Sequence, residues 1–311
     1  MSKIDRRDFL NRTGQGLVVV GAGALSAGVL EEEAEAAGKK TRVVVVKGKD
    51  PAKMLRSAMK VFRGMPKLVK GKKVILKPNM SFKNPATWGN NTNPEVAAAV
   101  AQLVQAGGAA SIAAVDHTMG QAGRAIKACG VGLALQKVKG VQVISAHKKS
   151  AYKKKRVPRG KQLKTTEVPT IVSAADLIIN IPVAKQHTAT KVSFGLKNLM
   201  GLVWNRGYFH EMISLQQGIA DLATLLKPAL TVIDATRVMT SNGPQGPGKV
   251  EMLHTLVVST DPVAADAVAL GLTKWAGQTI QPREVEHIRM AGVMGVGQAD
   301  LKQIKIIKKR T

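Results

Sequence analysis

Short runs of β-branched residues alternate with helix-forming segments from residue 41 onward, and this alternation limits the fold more than any other feature of the chain. Two of the helical segments begin with a proline that follows Asn93 or Asp261, a common helix start. Seven segments predict strands: 41–48, 72–79, 111–117, 141–147, 176–183, 229–236 and 253–260. Near-continuous apolar strands separated by helices predict an α/β fold, a mostly parallel, Rossmann-like sheet with helices on both faces.

We expect residues 39–311 to form a single α/β domain with a basic insertion or loop at 147–166. The chain has a formal net charge of +27, and residues 147–164 contain nine lysines and arginines. A basic tract of this kind attracts acidic proteins or envelope polyanions. No zinc-finger, RNA-binding or helix-turn-helix pattern accompanies the charge, so specific nucleic-acid binding is not expected.

Cys129 is the only cysteine. One thiol cannot hold an iron–sulfur cluster. The identity of any cofactor stays unknown at this stage, but it has to be organic or bound through nitrogen and oxygen ligands.

The first 38 residues have the pattern of an export signal. Arg6 and Arg7 precede a moderately apolar run, and the sequence AEA at 34–36 offers a small-residue cleavage site. These features resemble a twin-arginine signal peptide, which implies the twin-arginine translocase as a partner during export and a periplasmic location. The apolar run is too short and glycine-rich for a membrane span, and no other segment predicts one.

Polar residues occur where the predicted strands end. Lys77 and Asn79 end one strand, Asp116 ends another, and Asp234 ends a third. Ligands of open α/β sheets bind beyond the carboxyl ends of the strands. The alternative for Asp and Asn at such positions is that they cap helices and turns. An ammonium group cannot accept from a helix N–H, so capping does not explain Lys77 or Lys185.

Several separated motifs, ILKPNM, TNPEVAAAVAQLVQAGGA, LIINIPVAKQHTATKVSFGLKNLMGLV and STDPVAADAVA, occur in order between residues 72 and 275. In this respect the chain resembles domain-of-unknown-function family 362. The resemblance implies no activity, because that of the family is unsettled. Some members carry cysteine-rich ferredoxin-like segments, which this chain lacks. The family motif positions correspond here to Lys77, Pro78, Asn79, Pro94, Glu95, Pro182, Lys185, His187, Lys197, Asn198, Asp261 and Asp266.

Residues 185–198 bring an unusual number of cations and amides beside an apolar run. We expect a loop from 184 to 192 that leads into a helix whose first turns carry Lys197 and Asn198. Cations and backbone N–H groups would then converge at a helix N-terminus, which favours anions. A desolvated lysine in such a site can also act as a base or form a Schiff base.

These observations predict an anionic small molecule or cofactor at the strand-end edge, held by Lys77, Asn79, Lys185, Lys191, Lys197 and Asn198. His187, with Asp116 or Asp234, is the candidate acid/base group, and whether the protein is an enzyme stays open. We assign no metal ligands, since the many lysines argue against a cation-rich centre. The alternative is a non-catalytic basic binding or assembly protein that docks acidic partners or envelope polymers.

Overall fold

The sheet of this protein is assembled from non-consecutive strands. The computed structural model describes residues 40–120 and 122–311, and the predicted signal at 1–38 lies outside them. The strands are β1 (Thr41–Lys47), β2 (Lys73–Pro78), β3 (Ser111–Asp116), β4 (Val141–Ser145), β5 (Tyr152–Arg156), β6 (Thr165–Pro169), β7 (Leu177–Ile181), β8 (Val183–His187), β9 (Lys191–Ser193), β10 (Leu230–Met239), β11 (Val250–Ser259) and β12 (Ile304–Arg310).

The α-helices lie mainly in the connections between these strands. They are α1 (Pro51–Met59), α2 (Met65–Val69), α3 (Pro94–Ala106), α4 (Ala122–Ala128), α5 (Val131–Gln136), α6 (Thr170–Ser173), α7 (Gly195–Asn198), α8 (Gly207–Glu211), α9 (Leu215–Leu225), α10 (Pro262–Ala269) and α11 (Glu286–Val293). The side chains of Asn93 and Asp261 accept from backbone N–H groups at the starts of α3 and α10, as the Asn-Pro and Asp-Pro pairs predict.

In the described part of the chain the main sheet has ten strands, with the order β12-β1-β11-β10-β7-β2-β3-β4; β8 pairs with β10, and β9 pairs with β8. Its pairs are parallel except β1 with β11, β10 with β11, and β8 with β9. The prediction of a mostly parallel α/β sheet is therefore confirmed. Strands β10 and β11 are consecutive in the chain and are joined by the loop 240–249. They pair antiparallel because this loop reverses the chain direction.

Alternate residues of the central strands enter two separate cores. On β2, Ile75 packs in one core, while Val74 and Leu76 pack in the other. Helices α9 and α10 cover the Ile75 side, whereas α1 and α3 cover the opposite side. Strands buried on both faces explain why their sequences read as continuous apolar runs. Residues Thr41–Thr311 form one compact unit.

The basic tract is a β-hairpin rather than a bare loop. Strands β5 and β6 pair antiparallel as a separate two-stranded sheet, with Lys154 opposite Glu167. Lys153, Lys154 and Arg156 are exposed on it. Within residues 40–120 and 122–311, no helix has the length and apolar character needed to cross a bilayer.

Candidate functional site

A cavity of about 720 Å³ opens beside the carboxyl ends of the parallel strands. Strand β8 contributes two side chains to its wall, because Lys185 and His187 are two residues apart and project from the same face. Gln186 points the other way, where its Oε1 accepts from the Gly243 N–H at 2.6 Å. That contact holds the Gly- and Pro-rich loop 240–249 at the cavity edge, which Pro244 and Gln245 help to line.

The segment 184–192 is not the loop predicted from sequence. It forms most of a hairpin in which Lys185 pairs with Ser193 and His187 pairs with Lys191. The backbone of Lys191 is left-handed, with φ of 62°, and its side chain is exposed and does not line the cavity. Strands β8 and β9 are rich in polar residues, so no apolar run indicates them in the sequence. They are defined by backbone pairing of β8 with β10 and of β8 with β9.

The expected anion site at the N-terminus of the following helix is already filled by the protein. The Asp266 carboxylate accepts from the Gly195 N–H at 2.8 Å and from the Leu196 N–H at 2.9 Å. Burial raises the pKa of Asp266 to about 7 despite these two hydrogen bonds. The backbone N–H groups of Gly195 and Leu196 are therefore not available to a ligand. The expectation that backbone N–H groups at this helix start bind the anion is wrong for these two residues. Asp266 is 71 residues after Gly195 in the sequence, so no local sequence pattern predicts the contact.

Asn198 joins the ends of three segments beneath the cavity. Its Nδ2 donates to the Lys77 carbonyl at 3.0 Å and to Asn180 Oδ1 at 2.8 Å. Its Oδ1 accepts from Asn79 Nδ2 at 3.1 Å and from Lys77 Nζ at 3.3 Å. Asn198 and Asn79 both reach the cavity wall. Because the amide of Asn198 already makes four hydrogen bonds, it positions the floor of the site.

Lys77 and Asp116 form a buried ion pair under that floor. Lys77 Nζ lies 3.0 Å from Asp116 Oδ1, and both side chains are fully buried. Lys77 also donates to the Pro78 carbonyl at 2.7 Å, and Asp116 Oδ2 accepts from the Met80 N–H at 2.7 Å. Burial lowers the pKa of Lys77, and Asp116 opposes that effect. Neither residue lines the cavity, so this predicted pair is one step removed from any ligand there.

Asp234 is separate from the cavity as well. It accepts from the Asn93 N–H at 2.7 Å, the Thr236 N–H at 2.9 Å and the Thr236 hydroxyl. Burial raises its pKa, and these hydrogen bonds act in the opposite direction. The contacts fix the start of α3 against β10, and they leave Asp234 outside the group of residues that the structure brings together.

His187 is neutral and holds one defined tautomer. Burial, Lys197 and Lys185 lower its pKa far below the ordinary value. Its Nδ1 accepts from the Ala189 N–H at 3.1 Å, so the ring proton is on Nε2. As an imidazole in the cavity wall, His187 can donate one hydrogen bond from Nε2.

Arg206 is a cavity residue that sequence reasoning did not single out. Its Nη1 donates to the His117 carbonyl at 2.8 Å and its Nη2 to the Thr118 carbonyl at 3.2 Å. Two backbone carbonyls thus hold the guanidinium at the wall, which Trp204 and His210 also line. The only sequence signal was its place in the NRG turn that follows the cation-rich segment.

Lys197 is the cation in the wall with the fewest protein partners. Among the described residues, the hydrogen-bond partner of its Nζ is the Met200 sulfur at 3.9 Å, a weak contact. Burial, reinforced by Arg206, lowers its pKa to about 8, so it remains mostly protonated near neutral pH. A largely unpaired ammonium in a cavity wall is costly unless an anion joins it.

His287 is fully buried near the site, and its Nδ1 lies 2.7 Å from Gln216 Oε1. No group of three His, Cys, Asp or Glu side chains in residues 40–120 and 122–311 is arranged to hold a metal ion.

Three comparisons relate the chain to known proteins. A family model described as "Domain of unknown function (DUF362)" matches residues 74–271. The thylakoid-associated protein sll1697 of Synechocystis sp. is 27% identical over 241 residues, which cover 73% of this chain and 71% of that protein. The lactate racemase apoprotein of Thermoanaerobacterium thermosaccharolyticum is 15% identical with a TM-score of 0.45; the match covers 70% of this chain and about half, 54%, of that one.

Proposed function

The chain belongs to the family described as domain of unknown function (DUF362), and from that premise we propose that it binds a small molecule bearing a carboxylate or phosphate in the strand-end cavity. One observation carries the proposal. The cavity wall contains two cations, Lys197 and Arg206, together with the Lys185 amine and the His187 and His210 imidazoles, and no Asp or Glu of the described residues lines it. A partly enclosed wall of one charge sign concentrates ligands of the opposite sign.

Lys197 and Arg206 are the anion-holding groups in this proposal. The Lys197 ammonium has donors to spare, and Arg206 has N–H groups beyond the two that the backbone carbonyls of His117 and Thr118 accept. Asn79, which also lines the cavity, and the Nε2–H of His187 supply neutral polar contacts. The Phe82 and Trp204 rings in the same wall provide apolar surface for the rest of the ligand.

Calorimetric titration with oxalate and with inorganic phosphate tests this function. The informative variant is Lys197→Met, and Lys191→Met is its matched control, since it removes the same charge from an exposed lysine outside the cavity. A hydrogen bond to a charged group contributes about 1.5–3 kcal/mol, so we expect Lys197→Met to weaken anion binding at least roughly tenfold. The proposal fails if neither anion binds, or if Lys191→Met weakens binding as much as Lys197→Met.

We propose export for the first 38 residues, on the sequence evidence of Arg6 and Arg7 with the AEA site. The twin-arginine translocase would then be a partner, and the periplasm the location. Replacing both arginines by lysine in the full chain should leave the protein in the cytoplasm of its host. Cell fractionation locates the variant. Export as efficient as that of the wild type would contradict this assignment.

The basic hairpin supports a second candidate function, docking of acidic proteins or envelope polyanions. Lys153, Lys154 and Arg156 are exposed on β5, and Lys161 and Lys164 are exposed on the turn that follows. Exposed charges of this kind act through screened electrostatics. Changing Lys153, Lys154 and Lys161 to Glu should abolish salt-sensitive binding to heparin without altering oxalate binding in the cavity. Equal heparin binding by the variant would remove this second function.

A further inference from the structure

Of the lysines in residues 40–120 and 122–311, Lys77 and Lys185 are buried at this end of the sheet, and their surroundings differ. Lys77 has a carboxylate partner in Asp116 together with two oxygen acceptors, so its ammonium is accounted for by the protein. Lys185 is 2% exposed and its Nζ donates to the Asn90 carbonyl at 2.6 Å. No Asp or Glu in the described part of the chain lies within ion-pair distance of it. Lys77 thus stabilises the fold, while Lys185 is a buried amine that faces a cavity.

The environment of Lys185 favours the neutral amine. The Phe82 ring, whose centre lies 4.8 Å from Nζ, and the Asn90 carbonyl both favour the ammonium, so the neutral form depends on burial and on the cations nearby. The charged and titratable groups around it are mostly cations or imidazoles: Lys197, Arg206, His187 and His210 in the wall, with the Lys77–Asp116 pair beneath. Burial, reinforced by Lys197, lowers the pKa of Lys185 to about 7. A lysine with a pKa lowered in this way is available near neutral pH as the unprotonated amine, the form in which it is a nucleophile.

We propose that Lys185 forms a Schiff base with the aldehyde or ketone carbon of a small molecule whose carboxylate or phosphate is held by Lys197 and Arg206. This inference rests on the proposed function, since the anion-holding residues have to place the carbonyl group at the amine. It narrows the ligand class to carbonyl compounds that carry an anionic group, such as 2-oxo acids and phosphorylated aldehydes.

The step balances without an oxidant or a reductant. The Nζ lone pair forms a bond to the carbonyl carbon, and the carbonyl oxygen gains the proton that the nitrogen loses, which gives a carbinolamine. The carbon–oxygen bond then breaks, and the hydroxyl leaves as water with a proton from the solvent. The product is an iminium ion on Lys185. His187, two residues along the same face of β8, has its Nε2–H available as a hydrogen-bond donor to the oxygen.

Trapping with pyruvate and sodium cyanoborohydride tests the proposal on the full chain. The reagent reduces an iminium to a stable secondary amine, and peptide mapping by mass spectrometry locates it. We expect one adduct per chain, at Lys185, and we expect oxalate to suppress it by occupying the same cavity. Lys185→Arg should lose the adduct, whereas Lys191→Arg should retain it. The map of the wild-type protein decides the matter even where a Lys185 variant does not fold.

The outcomes separate this inference from the proposed function. Adducts spread over exposed lysines, or absent altogether, while oxalate still binds, would overturn the Schiff base and leave the anion site standing. Failure of oxalate binding together with absent trapping would overturn both. An adduct at Lys185 that oxalate does not suppress would contradict the shared placement of anion and carbonyl group, and with it the proposal as stated.

Discussion

Lys77 Nζ lies 3.0 Å from Asp116 Oδ1, and both side chains are completely buried below the floor of the candidate site. The pair joins the ends of two neighbouring parallel strands, β2 and β3. Gly201, in the cavity wall, lies directly over it. The geometry of the site above therefore depends on an ion pair that no ligand in the cavity has to touch.

Removing one charge of this pair should destabilise the protein strongly. In Asp116→Asn the Lys77 ammonium loses its carboxylate partner, and breaking a buried pair costs about 3–5 kcal/mol. Urea unfolding measures the change. The control is Lys249→Gln, which breaks the exposed pair of Lys249 and Glu251 and should cost about 0–1 kcal/mol. A loss for Asp116→Asn no larger than that of the control would show that the buried pair does not stabilise the fold.

A single methyl group at Gly201 should disturb the same pair. A Cβ at this position would lie 2.8 Å from Lys77 Nζ and closer still to Asp116 Oδ1, distances that real Cβ atoms do not adopt. We expect Gly201→Ala to lower the free energy of unfolding by about 1–3 kcal/mol, as overpacking does. Gly271→Ala is the matched control, because a Cβ there meets nothing within 4 Å. Equal stability of the two variants would argue against close packing over the pair.

The depressed pKa of Lys185 predicts a pH dependence of stability. The folded chain releases this proton near pH 7, whereas the unfolded chain holds it to about the ordinary value of 10.5. Between these values the unfolded state binds more protons, so the contribution of Lys185 to the free energy of unfolding rises with pH. Below pH 7 the burial penalty on the charged amine is at its full value.

Lys185→Met removes this titration and is the comparison to make. We expect the wild type to gain stability relative to the variant as the pH rises from 7 to 10, measured by urea unfolding at each pH. Lys197 also titrates in this range, with a pKa of about 8, and it repels Lys185, so the difference between the two proteins reports the lost Lys185 titration together with this repulsion. Parallel profiles of the two proteins would mean that the Lys185 pKa is not depressed.

The sheet could be predicted because short stretches of sequence are enough to identify its central strands and two of its helices. Strands buried on both faces have to be apolar at every position, and the helices α3 and α10 start at Asn-Pro and Asp-Pro pairs that any short window contains. Lys185 was recognised as a candidate because capping cannot explain an ammonium directly after a buried strand, and His187 because it lies in the same family motif and can act as an acid or base.

The remainder of the site depends on contacts between distant residues. The pairing of β8 with β9 and β10 is invisible in a polar segment, so Lys191 was assigned to the site although the hairpin turns it into solvent. The carboxylate of Asp266, 71 residues further along the chain, accepts from the backbone at the start of α7. The backbone carbonyls of His117 and Thr118, 89 and 88 residues before Arg206, hold its guanidinium in the wall. Contacts over such a separation leave no pattern in the sequence.

A crystal structure with oxalate, at a concentration that saturates the calorimetric titration, tests the central claim most directly. The account predicts one oxalate in the cavity, with its carboxylate oxygens within hydrogen-bond distance of Lys197 Nζ and the Arg206 guanidinium. An empty cavity under those conditions, or oxalate bound instead at the basic hairpin of β5 and β6, would contradict it.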